Sequence, residues 1–212
     1  IVGMAAASAG DGYWLVAADG GVFTFGPGAT FFGSTGAQHL NKPIVGIAST
    51  FDDGGYWLVA SDGGIFTFGD APFMGSTGAQ PLNEPVVGMA ATIDNGGYWL
   101  VASDGGIFTF GDANYLGSTG AQHLNKPIVG MAPVADGNGY WLFASDGGVF
   151  TFGSALFAGS LGAQHLNAPI VGGASVPFFL LDVSAASTGS HRPLNRTTVD
   201  GVLARKGIHW AG

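Results

Sequence analysis

Four loops of this chain carry the same two amides: Gln38 and Asn41, Gln80 and Asn83, Gln122 and Asn125, Gln164 and Asn167. Upstream of each lies an aromatic pair, Tyr13-Trp14, Tyr56-Trp57, Tyr98-Trp99 and Tyr140-Trp141. Amides both donate and accept hydrogen bonds, and an aromatic ring offers a flat apolar face. Together they suit a neutral sugar, and four copies on one molecule would add avidity. In this reading the eight loop amides are the candidate ligand contacts, with Tyr98 and Trp99 as the aromatic half. The simpler use of the same residues is structural. Tyr and Trp in strand-like runs fill cores, and Leu-Asn-x-Pro serves as a connector whose Asn caps a turn.

Other reactive residue types point less clearly to a site. His39, His123 and His165 share one loop position, and Pro81 takes it in the second copy. Equivalent positions of successive repeats lie far apart, so these imidazoles do not converge on one metal. Ser34, Ser76, Ser118 and Ser160 each follow a Gly, yet none stands in a Gly-x-Ser-x-Gly elbow. Four equal nucleophiles would also need four bases and four oxyanion holes. Asp52-Asp53 and Asp94-Asn95 lack the regular ligand spacing of an EF-hand. Asp19, Asp62, Asp104 and Asp146 precede Gly-Gly, where Asp satisfies turn backbone locally. No catalytic residue, metal or cofactor is assigned from these patterns. The residues able to form a unique site are Asp182, Ser184, His191, Asp200 and His209. Asp182, at a strand end, is the first choice if the tail opens an enzyme domain.

All these side chains are positioned by a repeat. Trp14, Trp57, Trp99 and Trp141 stand 43, 42 and 42 residues apart. The copies span residues 1–43, 44–85, 86–127 and 128–169. Fixed spacing over such a length marks stacked supersecondary units. The third copy opens on the apolar run Val86–Ala91, followed by the turn cluster Asp94-Asn95-Gly96-Gly97. Tyr98–Ala102 is strand-like, Ser103-Asp104-Gly105-Gly106 tolerates the positive φ of a tight hairpin, and Ile107–Phe110 is the return strand. Asn114-Tyr115-Leu116 reads as a weaker fourth strand, and Gly120–Pro127 as a connecting loop.

Four short strands in about 42 residues, with no helix, are the content of a β-propeller blade. Blades pack face to face, so their strands should be apolar throughout rather than alternating. Tyr-Trp-Leu-Val-Ala fits that expectation. A parallel β-helix is the competitor, but the antiparallel hairpin signal in every copy favours the propeller. The expected fold is therefore all-β, a propeller of four-stranded blades with four clear repeats and a degenerate fifth as an open alternative.

The tail is ambiguous. Ile170–Ala174 begins a fifth copy, and Phe178–Ser184 still reads as a strand. Thr198–Lys206 reads as a short helix, with Thr197 or Thr198 to cap it and Gly207 to stop it. Residues 175–212 are thus either a divergent fifth blade or the opening of a truncated α/β domain. Ile1–Ala5 and Ile170–Ala174 are the same strand type and would compete for one slot in a ring of four. Five blades, or an open arc completed by another chain, avoid that conflict. A homo-oligomer follows if the ring is open.

Composition narrows the partners. Hydrophobic residues make up 47% and charged residues 9% of the chain, against roughly 25% charged in an average soluble domain. Residues 1–182 hold 13 acids against Lys42 and Lys126. That acidic body argues against a nucleic acid partner, whose phosphates it would repel. The basic residues Arg192, Arg196, Arg205 and Lys206 cluster in the tail. No apolar run reaches the ~18 residues of a membrane-spanning helix, so membrane insertion is not expected. Cys is absent, which removes thiolate chemistry without fixing a compartment. The start at Ile1, in phase with the repeat, reads as a processed protein or a piece of a longer one.

The run Gly97–Gly111, with copies at Gly12–Gly26, Gly55–Gly69 and Gly139–Gly153, resembles the GYWLVASDGGIFTFG-type repeats of secreted actinobacterial proteins. The resemblance covers residues 1–174. It implies a secreted or cell-surface, propeller-like module, often attached to hydrolase or cell-wall domains, with no activity in the repeats themselves. The similarity to WD-repeat proteins is architectural only, since the Trp-Asp dipeptide is missing. The expected function is a non-catalytic module that binds cell-wall or other glycans, or a cell-surface protein. The alternative is a scaffold for a secreted hydrolase, an esterase or cell-wall enzyme, whose catalytic domain lies largely outside this chain.

Overall fold

The computed structural model describes residues 1–175. The expected strand at Phe178–Ser184, the expected helix at Thr198–Lys206 and the five singleton residues from Asp182 to His209 lie outside the described residues. Within them, each repeat folds into one antiparallel sheet of three strands taken in chain order. The first repeat holds β1 (Gly3–Ala6), β2 (Tyr13–Val16) and β3 (Val22–Phe25). The second holds β4 (Ile44–Ser49), β5 (Gly55–Ala60) and β6 (Ile65–Gly69). The third holds β7 (Val86–Ala91), β8 (Gly97–Ala102) and β9 (Ile107–Gly111). The fourth holds β10 (Ile128–Pro133), β11 (Gly139–Ala144) and β12 (Val149–Gly153).

The hairpin turns form for the reason the sequence suggests. Gly63 takes φ 77° between β5 and β6, and the Asp62 carboxylate accepts from Gly64 N at 2.9 Å. Asp19, Asp104 and Asp146 do the same for Gly21, Gly106 and Gly148. These acids are consumed by backbone, as a turn role requires.

Successive sheets pack against one another. All six residues of β5 and all six of β8 are buried, covered on both faces by neighbouring repeats. The first strands lie side by side, with β1 touching β4, β4 touching β7 and β7 touching β10. Gly3, Gly46, Gly88, Gly130 and Gly172 form a ladder along this line. A Cβ on Gly46 would sit 3.8 Å from the Gly88 Cα, and one on Gly88 would sit 3.7 Å from the Gly130 Cα. These are ordinary contact distances, so neighbouring backbones lie about one methyl group apart along the ladder. Each interface then buries one cluster. Trp57, Val59, Met89, Tyr98 and Leu100 form the cluster between the second and third repeats. β1 and β10 do not touch, so the four described sheets do not close on each other.

The expected fourth strand is a correction: Asn114-Tyr115-Leu116 forms no strand, nor do its counterparts. Side chains take the backbone groups that a sheet ladder would have used. Trp99 Nε1 donates to Asn114 O at 2.8 Å. Tyr140, from the next repeat, accepts from Leu116 N at 3.2 Å and donates to Gly117 O at 2.6 Å. With its polar groups satisfied this way, the segment joins no sheet.

Candidate ligand-binding face

Each connecting loop is pinned to the hairpin turn of its own repeat. In the first repeat Thr35 N donates to Gly20 O at 3.1 Å, and Gln38 N donates to Thr35 O at 2.7 Å. Thr35, Thr77 and Thr119 are buried, and the hydroxyls of Thr77 and Thr119 donate to Asp62 O and Asp104 O at 3.0 and 3.1 Å. The loop ends are also tied to the next sheet. Ser61 N donates to Pro43 O, and Ser103 N to Pro85 O, each at 2.9 Å. The connecting loops and the β2–β3-type turns therefore share one face of the repeat array.

On that face Gln38, Asn41, Gln80, Asn83, Gln122, Asn125, Gln164 and Asn167 are all exposed. Among the described residues none of their side-chain amides has a hydrogen-bond partner within the protein. His39, His123 and His165 are exposed beside them. No group of His, Asp and Glu among the described residues is arranged to hold a metal. One cleft of about 320 Å³ opens beside the last connecting loop, lined by Lys126, Ser145, Asp146, Gln164, Leu166 and Pro169 among others.

The aromatic half of the expected site is not where the sequence suggested. Tyr98 and Trp99 are fully buried, and their polar atoms are spent inside the fold. Trp99 Nε1 is bonded to Asn114 O, and Tyr98 OH is bonded to Gly75 O. Their strand is covered on both faces, which leaves no ring surface for a ligand. Burial also pushes the phenols of Tyr56, Tyr98 and Tyr140 above their ordinary range.

A different aromatic takes the exposed position. Phe31, Phe73, Tyr115 and Phe157 occupy equivalent places, and each is between 56% and 63% exposed. Tyr115 OH donates to Ser118 Oγ at 3.1 Å, which ties the ring to the base of the connecting loop. The signal was present in the sequence. An aromatic recurs in all four copies, while the residue after it varies through Phe32, Met74, Leu116 and Ala158.

The acid-rich turns at the opposite ends of the strands serve to join repeats. The Asp53 carboxylate accepts from Ser8 N and Ser8 Oγ of the preceding repeat. Asn95 Oδ1 accepts from Phe51 N at 2.7 Å. Asp53 and Asn95 hold φ 60° and 61°, values that Asp and Asn tolerate better than most residues. In the third repeat Thr92 bridges Asp94 and Asp112, at 2.8 and 3.2 Å. The hydroxyl of Thr92 holds Asp94 below its ordinary value, whereas burial and the neighbouring Asp94 raise Asp112.

No protein-family model matches the chain, and no curated protein matches it either. Among solved structures it is similar to the β-propeller domain of Cps50 (Swd1) from Myceliophteria thermophila, with a TM-score of 0.51 at 9% identity. The fold is propeller-like. The similarity covers 72% of this chain and 52% of that one, so the propeller-like array spans about half the length of the solved domain. At that identity the likeness speaks for architecture alone.

Proposed function

We propose that this chain is a non-catalytic, multivalent module that binds extended glycans outside the cell. The observation that carries the reading is the fourfold recurrence of an exposed aromatic ring followed by exposed amides that have no partner among the described residues. Phe31 with Gln38 and Asn41 is the first such set, and Tyr115 with Gln122 and Asn125 the third. Rings of this kind stack on the apolar faces of sugars, and amides match hydroxyl groups. Equivalent sites on successive repeats suit a polymer with repeating units, where modest contacts combine. The resemblance to secreted repeats supports a location outside the cell, and the cell wall is a fitting source of such a polymer.

The test is retention of the purified chain on insoluble peptidoglycan and on several neutral polysaccharides, with soluble sugar followed in the same tubes. Retention without release is the expected result. Release of sugar would overturn the non-catalytic reading, and absence of retention on every polymer would overturn the glycan reading.

A further inference from the structure

The two ends of the repeat array carry the two halves of one interface. At each internal junction a Tyr and a Phe from the later repeat close over a Gly of the earlier one. Tyr56 OH donates to Gly33 O, Tyr98 OH to Gly75 O and Tyr140 OH to Gly117 O, each at 2.6 Å. The same three glycines face Phe68, Phe110 and Phe152, so close that a Cβ would fall 2.5–2.6 Å from the ring. In the first repeat the corresponding Tyr13 is 40% exposed, and Phe23 and Phe25 are exposed with it. Met4 is 63% exposed, where its counterparts Ile47, Met89 and Met131 are 7–9% exposed. Among the described residues, Gly159 of the fourth repeat has no neighbour within 4 Å of where a Cβ would stand, and Ala158 is exposed. The latter position packs into the core in the other repeats, as Phe32, Met74 and Leu116.

We infer that a second copy of this chain docks head to tail, its Tyr13–Phe25 face closing over Ala158–Gly159. The new junction would continue the interface already present three times within the chain. It is heterologous, because the two surfaces differ. It also has a structural requirement. Ile170–Gly173 now lies in the slot that the first strand of the incoming repeat would take. Ile170 N donates to Ser145 O at 2.9 Å, as Ile128 N does to Ser103 O at 2.8 Å, and Gly173 packs on Phe143. That segment pairs with no second strand among the described residues, and Val171 is exposed. The incoming β1 arrives already paired to β2, so β1 displaces it. A likeness that covers about half of a propeller domain leaves room for a second array of the same kind.

The test uses the 212-residue chain in sedimentation velocity over a range of concentrations. Tyr13→Asp blocks the head and Ala158→Glu blocks the tail, and both sites are exposed, so circular dichroism should show folded protein. The wild type should associate, and each variant alone should weaken association roughly tenfold or more. An equimolar mixture should recover a dimer, because one free head and one free tail remain. Ala158→Met, which copies Met74, should tighten association several-fold. A wild type that stays monomeric at every concentration overturns the inference. Association indifferent to both blocking variants overturns it as well.

Discussion

The phenol of Tyr98 donates to the carbonyl of Gly75 at 2.6 Å across the boundary between two repeats. It also accepts from Met74 N at 3.2 Å. One side chain thus satisfies two backbone groups on a segment that belongs to no sheet, and it does so from a fully buried ring. Replacing Tyr98 by Phe keeps the packing and orphans both groups. An unsatisfied buried group costs about 1–3 kcal/mol. Tyr98→Phe should lower the unfolding free energy by at least that much, seen as a lower urea midpoint with little change in slope. A midpoint equal to the wild type would mean that the junction is held by packing alone.

The same junction makes a sharp distinction between glycines. Gly75 has φ 130° and faces the Phe110 ring, where a Cβ would fall at 2.5 Å. Gly88 has an ordinary backbone, and its Cβ would meet Val101 and Gly130 at 3.6 and 3.7 Å, normal contact distances. Gly75→Ala should therefore destabilise by about 2 kcal/mol or more, through strain and overpacking. Gly88→Ala should be near neutral. Thermal melts of the two variants in parallel check the contrast, and equal losses would refute it.

Burial raises the phenols of Tyr56, Tyr98 and Tyr140 in the folded chain. Unfolding returns them to about 10. The folded state therefore holds their protons more tightly than the unfolded state. Their contribution to stability is complete below pH 10 and is lost as the pH rises from there through the folded values. Urea midpoints measured from pH 8 to 12 should fall steeply above pH 10. Tyr98→Phe removes one of the three protons, so its curve should fall less steeply over the same interval.

Much of this architecture is legible in the residues. The spacing of Trp14, Trp57, Trp99 and Trp141 gives the repeat, and the Asp-Gly-Gly runs give the hairpins. The all-apolar strands announce that both faces are covered. The fourth strand misleads because Asn114-Tyr115-Leu116 has strand-like content, while its backbone partners come from Trp99 and Tyr140 side chains remote in sequence. Propensity does not register such clamps. Tyr98 and Trp99 fail as ligand contacts for the reason that makes their strand apolar: each is enclosed by the adjacent repeats. Tyr115 was hidden by the same strand assignment. Its ring is 60% exposed, on a segment that joins no sheet.

The division between Tyr98 and Tyr115 leads to the last prediction. Both are tyrosines of the third repeat, one wholly enclosed and one 60% exposed. If the exposed rings and loop amides form the glycan contacts, Tyr115→Ala should lower retention on polysaccharide without moving the thermal midpoint. Gln122→Ala with Asn125→Ala should do the same, since neither amide is bonded within the described protein. Because four equivalent sets act together, one altered repeat should weaken binding by a few-fold, and alteration of all four should lose far more than one set does. Binding isotherms on a soluble oligosaccharide series, set beside melts of the same variants, separate the alternatives. Loss of stability in the amide variant would make Gln122 and Asn125 connectors, and unchanged binding with all four rings removed would move the site elsewhere.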